Sequence, residues 1–264
     1  MPRSLTRKTV LVTRSAGQSS LFTDLLLDKG FLIIEMPALE IRPPSSWEPL
    51  DEAIAQLAEY DWLVLTSANA VLYFWERLEQ VGNPADLAAV KLAVVGKKTA
   101  RVLKQQGHTP DFVPPNFVAD SLIADFPEPV AGLKLLFPRV ETGGRAVLVK
   151  DMTAAGATVT EVPAYESGCP ADPDHYAIAA LKARTVNVVT FASAKTVHHF
   201  CQLLHQGLGE AWATYLEEVA IASIGPQTSA ACYELLGRVD IEAQEYTLDG
   251  LTQAITQWAS ALSD

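Results

Sequence analysis

The sequence has few cysteines and no long apolar run. Three cysteines in 264 residues cannot form a disulfide framework, and such scarcity is typical of proteins from reducing compartments. No apolar stretch approaches the ~18 residues that a transmembrane helix requires. The apolar run near the N-terminus, residues 9–13, is also shorter than the core of a signal peptide, which takes roughly 7–15 residues. These absences predict a cytoplasmic protein with no membrane association.

Positive charge is scarce as well. Lys and Arg number 20 against 31 Asp and Glu, which gives a net charge of -11. Proteins that bind nucleic acids broadly through the phosphates usually have the opposite balance, so we expect no nucleic-acid partner. Hydrophobic residues make up 49% of the chain, enough for packed cores, and this excludes wholesale disorder. The length predicts about two domains.

Several common site motifs are missing. Gly143-Gly144 is not part of a GxGxxG sequence, the segment 96–99 lacks P-loop spacing, and no GxSxG elbow marks an α/β-hydrolase. One helical segment contains three histidines and a cysteine that match no metal-ligand spacing: His198, His199, Cys201 and His205. We therefore expect no metal site.

What the sequence does contain is an internal repeat, with an offset of roughly 126–130 residues. VLVTR at residues 10–14 returns as LLFPR at 135–139, and WLVLTSANAV at 62–71 returns as NVVTFASAKTV at 187–197. A third pair joins VVGKKTARVLKQQG, which ends at Gly107, to SIGPQTSAACYELLG, which ends at Gly237. The motifs keep one order in both copies, which indicates a duplicated architecture.

Each repeated motif predicts a strand followed by a helix. LVLT and VVTF are apolar throughout, as is typical of parallel strands covered on both faces. After Ser67 and after Ser193, apolar residues recur with helical period. Alternating strands and helices predict an α/β fold with doubly wound parallel sheets.

Two segments rich in proline and small polar residues stand at equivalent places in the repeats, at 35–47 and 161–173. Paired linkers of this kind predict that one domain is inserted in the other, with a cleft between the two lobes. The predicted organisation is a discontinuous α/β lobe of residues 1–36 plus 168–264, an inserted α/β lobe of 43–162, and paired linkers at 37–42 and 163–167.

The ordered motifs resemble the uroporphyrinogen-III synthase family. The resemblance covers nearly the whole chain and rests on VLVTR, LTSANAV, VVGKKTA, LLFPR followed by Gly143-Gly144-Arg145, Tyr165, TFASAKTV, SIGPQTSA and YTLDGL. It implies two flavodoxin-like lobes with parallel sheets, joined by a two-stranded linker. It also implies a cofactor-independent lyase of tetrapyrrole biosynthesis. Such an enzyme cyclises the linear tetrapyrrole hydroxymethylbilane to uroporphyrinogen III, with inversion of ring D and loss of water.

Other expectations follow from this resemblance. The substrate is a polycarboxylate, and the enzyme that makes it, hydroxymethylbilane synthase, is a plausible transient partner. We expect the chain to be a monomer. The rival function is a non-catalytic two-lobe binder of an anionic small molecule, and an enzyme-derived protein without activity is a third alternative.

Parallel sheets bind ligands beyond the carboxyl ends of their strands, so we take the candidate substrate-binding residues from the segments that follow predicted strands. A polyanionic ligand can bind at this edge although the protein is acidic overall, because the edge presents hydroxyls, cations and the free amides of helix N-termini. These residues are Arg14, Ser67, Asn69, Lys97, Thr99, Arg139, Arg145, Ser193, Lys195, Gly225, Pro226 and Thr228.

Most of these residues also have a purely structural explanation. Ser67 and Ser193 suit helix N-caps, a role that does not exclude ligand binding. Arg14 and Arg139 suit salt bridges as well as substrate carboxylates, and the threonines could bond back to the chain. The lysines suit solvated positions, and Asn69 suits an ordinary first helical turn.

Tyr165 is the candidate catalytic residue. It occupies the linker position where the first repeat has Leu39, and the family usually has a tyrosine there. The resemblance implies a weak acid near the leaving hydroxyl, which contributes a factor of ~10²–10⁴, while the enzyme's main task is to hold one substrate conformation. Packing at the hinge is the alternative role of this tyrosine.

Overall fold

Two five-stranded sheets organise the part of the chain that the computed structural model describes, residues 8–14, 20–115, 125–143 and 146–262. The strands are β1 (Thr9–Val12), β2 (Leu32–Glu35), β3 (Glu40–Arg42), β4 (Trp62–Leu65), β5 (Lys91–Val94), β6 (Lys134–Val140), β7 (Thr158–Gly168), β8 (Val188–Phe191), β9 (Ala220–Ser223) and β10 (Ile241–Glu242).

Helices connect these strands. The α-helices are α1 (Ser20–Asp28), α2 (Glu48–Ala55), α3 (Ala68–Val81), α4 (Lys97–Gln105), α5 (Ala146–Ala154), α6 (His175–Lys182), α7 (Ala194–Leu208), α8 (Pro226–Leu236) and α9 (Leu248–Ala261). Short 3-10 helices occupy Leu57–Glu59, Pro84–Ala89 and Glu210–Leu216. No helix in the described ranges is both long enough and apolar enough to cross a membrane.

The chain divides into two units, each with one sheet. Unit 1 comprises Met1–Glu40 and Gly168–Asp264, and unit 2 comprises Ile41–Ser167. In unit 1 the strand order is β10-β9-β8-β1-β2, and every pair of neighbouring strands is parallel. Counted along unit 1, this is the 2-1-3-4-5 order of flavodoxin-like sheets. The predicted α/β class with parallel sheets is confirmed.

Unit 2 repeats this plan in a different chain order, β3-β7-β6-β4-β5. Its strands β7, β6, β4 and β5 take the places of β2, β1, β8 and β9, and the pairs β7–β6, β6–β4 and β4–β5 are parallel. A parallel bridge between Ala93 and Phe112 stands where β9 pairs with β10 in unit 1.

The core of each unit has two layers, one on each face of its sheet. All four residues of β1, β4, β8 and β9 are buried. Alternate residues of these strands belong to different apolar clusters, since successive side chains point to opposite faces. In unit 2, Leu63 packs with Phe74 of α3 while Trp62 packs in the second cluster. In unit 1, Val189 packs with Phe200 of α7 while Val188 lies in the other.

Polar side chains also repeat between the units. Asp61 and Asn187 precede β4 and β8, and each accepts a hydrogen bond from the first backbone N–H of a neighbouring strand, β6 (2.7 Å) and β1 (2.9 Å) respectively. Asp111 and Asp240 likewise accept from the second N–H of β5 (2.7 Å) and β9 (2.8 Å). These bonds hold the N-terminal ends of the strands in equivalent positions in the two units. The carboxyl ends, where the candidate residues lie, therefore belong to similarly arranged strands.

Candidate active site

The candidate residues line up along the carboxyl edge of each sheet. Because β9, β8 and β1 are neighbours, Gly225, Ser193 and Arg14 follow strands that lie about 4.8 Å apart. In unit 2, Arg139 lies near the carboxyl end of β6 and Ser67 follows the neighbouring β4, so both belong to the same edge of the sheet. Each unit therefore presents hydroxyls, helix-end amides and cations in one row.

The two repeated serines are both helix N-caps. Ser67 has an extended backbone and its Oγ accepts a hydrogen bond from Ala70 N–H at 3.0 Å. Ser193 does the same with Thr196 N–H at 3.3 Å. Such caps stabilise a helix by ~1 kcal/mol. Ser67 differs from its counterpart because its Oγ also lies 3.1 Å from the hydroxyl oxygen of Tyr165.

A bulge in β7 directs Tyr165 to this place. Along the β6–β7 ladder Arg139 pairs with Pro163 and Val140 pairs with Tyr165, so Ala164 is an extra residue. Bulges of this kind change the direction of the next side chain. The Tyr165 side chain packs into the unit 2 core, and its ring stacks on Tyr73 of α3 with centroids 5.9 Å apart.

The Tyr165 phenol is held in its protonated form. Burial, the largest cause, raises its pKa above the ordinary value of 10.0, and the charge of Glu166 raises it further. The hydrogen bond with Ser67 and the charge of Arg139 act in the opposite direction but do not reverse the shift. A neutral phenol at physiological pH can donate a hydrogen bond to a leaving hydroxyl.

Glu166 is a site residue that the sequence analysis missed. The residue is 7% exposed, and its carboxylate accepts hydrogen bonds from Thr142 N–H (3.0 Å), Thr142 Oγ1 (2.6 Å) and Ser167 N–H (2.8 Å). It thereby ties the loop after β6 to the strand that carries Tyr165. A comparison of the two repeats does not single out Glu166, because the equivalent residue in the first copy is also a glutamate, Glu40.

The arginines have different surroundings. Arg139 forms an ion pair with Glu161 and also donates to the carbonyl of Gly143. The salt bridge that the sequence left as one alternative is therefore present. Arg14 is half-buried, and this burial lowers its pKa below the ordinary 12.5. Arg145 lies outside the described residues.

Two threonines repeat at the third position of α4 and α8. Thr99 and Thr228 are each 4% exposed, and neither hydroxyl bonds to another described residue. They do not bond back to the chain as Thr196 does, which donates to the Ser193 carbonyl at 2.7 Å. No enclosed side-chain oxygen or nitrogen of the described residues lacks a partner, so both hydroxyls reach solvent. Each is available to a ligand at a helix N-terminus.

The remaining candidates lie in the same first turns. Lys97 and Lys195 are exposed, and Asn69 is half-buried in the first turn of α3. Pro226 is the first residue of α8, a position that suits proline because no N–H is needed there. Gly225 is the N-cap of the same helix.

The histidine and cysteine side chains do not form a metal site within the described ranges, where no suitable group of three His, Cys, Asp or Glu occurs. His199 Nδ1 lies 2.7 Å from the carbonyl oxygen of Ala38. Burial raises the pKa of Cys201 to about 11 and that of Cys232 to about 12, so both thiols stay protonated and unreactive near neutral pH.

Two solved structures share this fold over nearly the whole chain. A mutant uroporphyrinogen III synthase from Thermus thermophilus covers 97% of this chain and 99% of its own, with a TM-score of 0.57 and 19% identity. The uroporphyrinogen-III synthetase of Helicobacter pylori covers 98% and 99%, with a TM-score of 0.57 and 16% identity. At these identities the likeness concerns the fold alone.

Sequence relatives are more specific. The sequence model of the family "Uroporphyrinogen-III synthase HemD" matches residues 20–253. A uroporphyrinogen-III synthase from Synechococcus elongatus is 56% identical over 252 residues, which cover 96% of this chain and 96% of the relative. One from Chlorobaculum parvum is 28% identical over 256 residues, covering 95% and 98%. This chain belongs to the uroporphyrinogen-III synthase family.

Proposed function

We propose that this chain is a uroporphyrinogen-III synthase that cyclises hydroxymethylbilane to uroporphyrinogen III, with Tyr165 as hydrogen-bond donor to the leaving hydroxyl. The observation that carries this role is the Tyr165 phenol, buried, neutral and 3.1 Å from the hydroxyl of Ser67. The family membership supports a lyase of tetrapyrrole biosynthesis and does not favour a non-catalytic binder.

The proposed reaction needs little from side chains beyond orientation. As the C–O bond breaks, Tyr165 donates its phenolic proton to the leaving hydroxyl, which departs as water. The pyrrole N–H proton that is released as the azafulvene forms restores the phenol. The azafulvene that remains is attacked by the substituted carbon of ring D, which gives a spiro intermediate. That intermediate reopens and closes at the other carbon, which loses a proton, so the net change is loss of one water. Ser67 orients the phenol through its hydroxyl.

Substrate binding in this proposal uses the kinds of group that stand at the carboxyl edge of each sheet. Helix N-terminal amides attract carboxylates through the helix dipole and their unpaired N–H groups. The hydroxyls of Thr99 and Thr228 add donors that no other described residue uses. Lys97, Lys195 and Arg14 add positive charge to an acidic protein. Arg139 contributes only to the extent that Glu161 leaves its guanidinium free.

A coupled assay tests this proposal. Porphobilinogen and hydroxymethylbilane synthase generate the substrate with and without the chain, and the oxidised porphyrins are separated by isomer. We expect the product to change from type I, which forms without an enzyme, to type III. Type I alone from the folded protein would contradict the proposed function.

Several wider expectations belong to the same proposal. Residues 37–42 and 163–167 act as paired linkers, the protein is a cytoplasmic monomer, and its contact with hydroxymethylbilane synthase is transient. Sedimentation of the chain alone and with that enzyme measures the last two points. A stable dimer or a long-lived complex would contradict them.

A further inference from the structure

Tyr246 is an exposed aromatic residue that lies on the N-terminus of α8. The residue is 64% exposed. A Cβ atom added at Gly225, the N-cap of α8, would lie 2.8 Å from Tyr246 Cδ1 and 3.1 Å from Cγ. The backbone of Gly225 is extended, with φ 163°, and any residue adopts that conformation. The glycine is therefore needed here for the close approach of the ring.

The backbone on both sides of Tyr246 is fixed. Thr247 N–H donates to the Glu245 carbonyl at 2.7 Å, which closes a tight turn around Tyr246. Thr247 is also the N-cap of α9 and accepts from Gly250 N–H at 3.0 Å. A side chain at Gly250 would collide with the Glu245 carbonyl, so this turn packs directly on α9. An exposed ring on so rigid a support loses little entropy when it binds a ligand.

A second observation points to a ligand at the same helix end. Thr228 lies one turn inside α8, is 4% exposed, and its hydroxyl bonds to no other described residue. Its backbone N–H donates to the Gly225 carbonyl at 3.0 Å, which keeps the two residues together. The Ser229 N–H donates to the same carbonyl at 2.9 Å, so the unused polar group beside the aromatic ring at this helix end is the Thr228 hydroxyl.

We propose that Tyr246 is the aromatic wall of a subsite that binds one pyrrole ring of the substrate. The ring of Tyr246 covers the flat face of the pyrrole, while the Thr228 hydroxyl, at the positive end of the α8 dipole, donates to a carboxylate that the pyrrole carries. The assignment rests on the proposed function, because that function supplies a ligand in which each aromatic ring bears carboxylates.

The test compares Tyr246→Leu with Tyr233→Leu. Tyr233 is a matched control, since it is also an exposed tyrosine on unit 1 and lies on α8 itself, 58% exposed. We expect Tyr246→Leu to raise KM about 10-fold, as for loss of one stacking contact, with little change in kcat. Tyr233→Leu should leave both unchanged. Equal KM values in the wild type and the Tyr246→Leu protein would overturn the proposal.

Tyr246→Phe separates the ring from the hydroxyl. We expect it to behave like the wild type, and a KM as high as that of Tyr246→Leu would show that the hydroxyl is the contact and would overturn the stacking role. Titration with uroporphyrin III, followed by fluorescence, measures binding without turnover. Binding that weakens in Tyr246→Leu supports the subsite even if the wild type makes no type III product, an outcome that would contradict the proposed function alone.

Discussion

The two units share one plan, yet they differ where α3 and α7 meet the segment that follows the repeated prolines. In unit 2, Tyr73 stacks on Tyr165. At the equivalent positions unit 1 has His199 and Leu39, and His199 bonds to the carbonyl of Ala38 instead. The same scaffold thus supports an aromatic pair with a phenol in one copy and a backbone contact in the other. The duplicated fold supplies the frame, and single substitutions on it give one copy a catalytic candidate.

The repeated glycines before α4 and α8 also differ in their physical reason. Gly96 has a φ of +95°, a conformation that L side chains rarely adopt. Gly225 has an ordinary extended backbone but contacts the Tyr246 ring. Glycine is therefore needed at this motif position for a positive φ in unit 2 and for close packing in unit 1.

The largest expected effect comes from the separate cores. Phe74 and Phe200 are fully buried, each in its own unit. Phe74→Ala and Phe200→Ala should each lower the free energy of unfolding by ~3–5 kcal/mol because a large cavity opens. Hydrogen exchange should rise mainly in unit 2 for Phe74→Ala and mainly in unit 1 for Phe200→Ala. Leu72→Ala, at an exposed position of α3, is the control, and equal exchange in both units would contradict separate cores.

The next effect concerns the tyrosine that only one copy has. Tyr165→Phe should lower kcat by about 10²-fold while KM changes little, because the phenol acts on the leaving group. Since the pKa of Tyr165 is raised, wild-type activity should persist up to the ordinary tyrosine pKa of 10.0 and fall only above it. Tyr73→Phe, which keeps the stacked ring, should retain activity. Unchanged turnover in Tyr165→Phe would remove the catalytic role and leave the fold assignment intact.

A smaller effect separates the two glycines. Gly96→Ala should destabilise the protein by ~1–2 kcal/mol, because alanine at positive φ is strained. Gly225→Ala should instead displace the Tyr246 ring and raise KM with a smaller loss of stability. In the double variant Gly225→Ala/Tyr246→Leu the two KM effects should not add, since both remove one contact. Additive effects on KM would show that Gly225 does not act through the position of the Tyr246 ring.

The smallest effect is a pH dependence confined to unit 1. Burial lowers the pKa of His199 below the ordinary 6.5, as do the charges of Lys195 and His198, although the bond to Ala38 raises it. His199 therefore binds a proton more readily in the unfolded chain than in the folded one. The contribution of neutral His199 to the free energy of unfolding is complete above about pH 6.5 and is lost as the pH falls through the lowered pKa. His199→Gln should flatten that slope in chemical denaturation, while His175→Gln, at an exposed histidine of the same unit that does not contribute to this shift, should not. Identical slopes in all three proteins would refute the assignment.

Much of the fold could be predicted from the sequence because its signals are local and repeated. Apolar runs such as LVLT, the helical stripe after Ser67 and the glycines after the strands each report a short-range preference. The repeat then implied that both copies use these elements alike, and the order of motifs carried the family resemblance. The N-cap role of Ser67 and Ser193 is predictable for the same reason, and the hydrogen bonds of both serines confirm it.

The α/β class, the duplication and the row of polar groups after the strands are all predictable from the order of residues along the chain. Which of these groups meet depends on the folded chain: Tyr165 with Ser67, Arg139 with Glu161, and Glu166 with the loop after β6. The tertiary structure also placed Tyr246 on Gly225, which lies 21 positions earlier in the chain (246 − 225). Periodicity records which face a residue occupies on its own element. Contacts between elements depend on strand order and on a bulge at Ala164, and neither leaves a pattern along the chain.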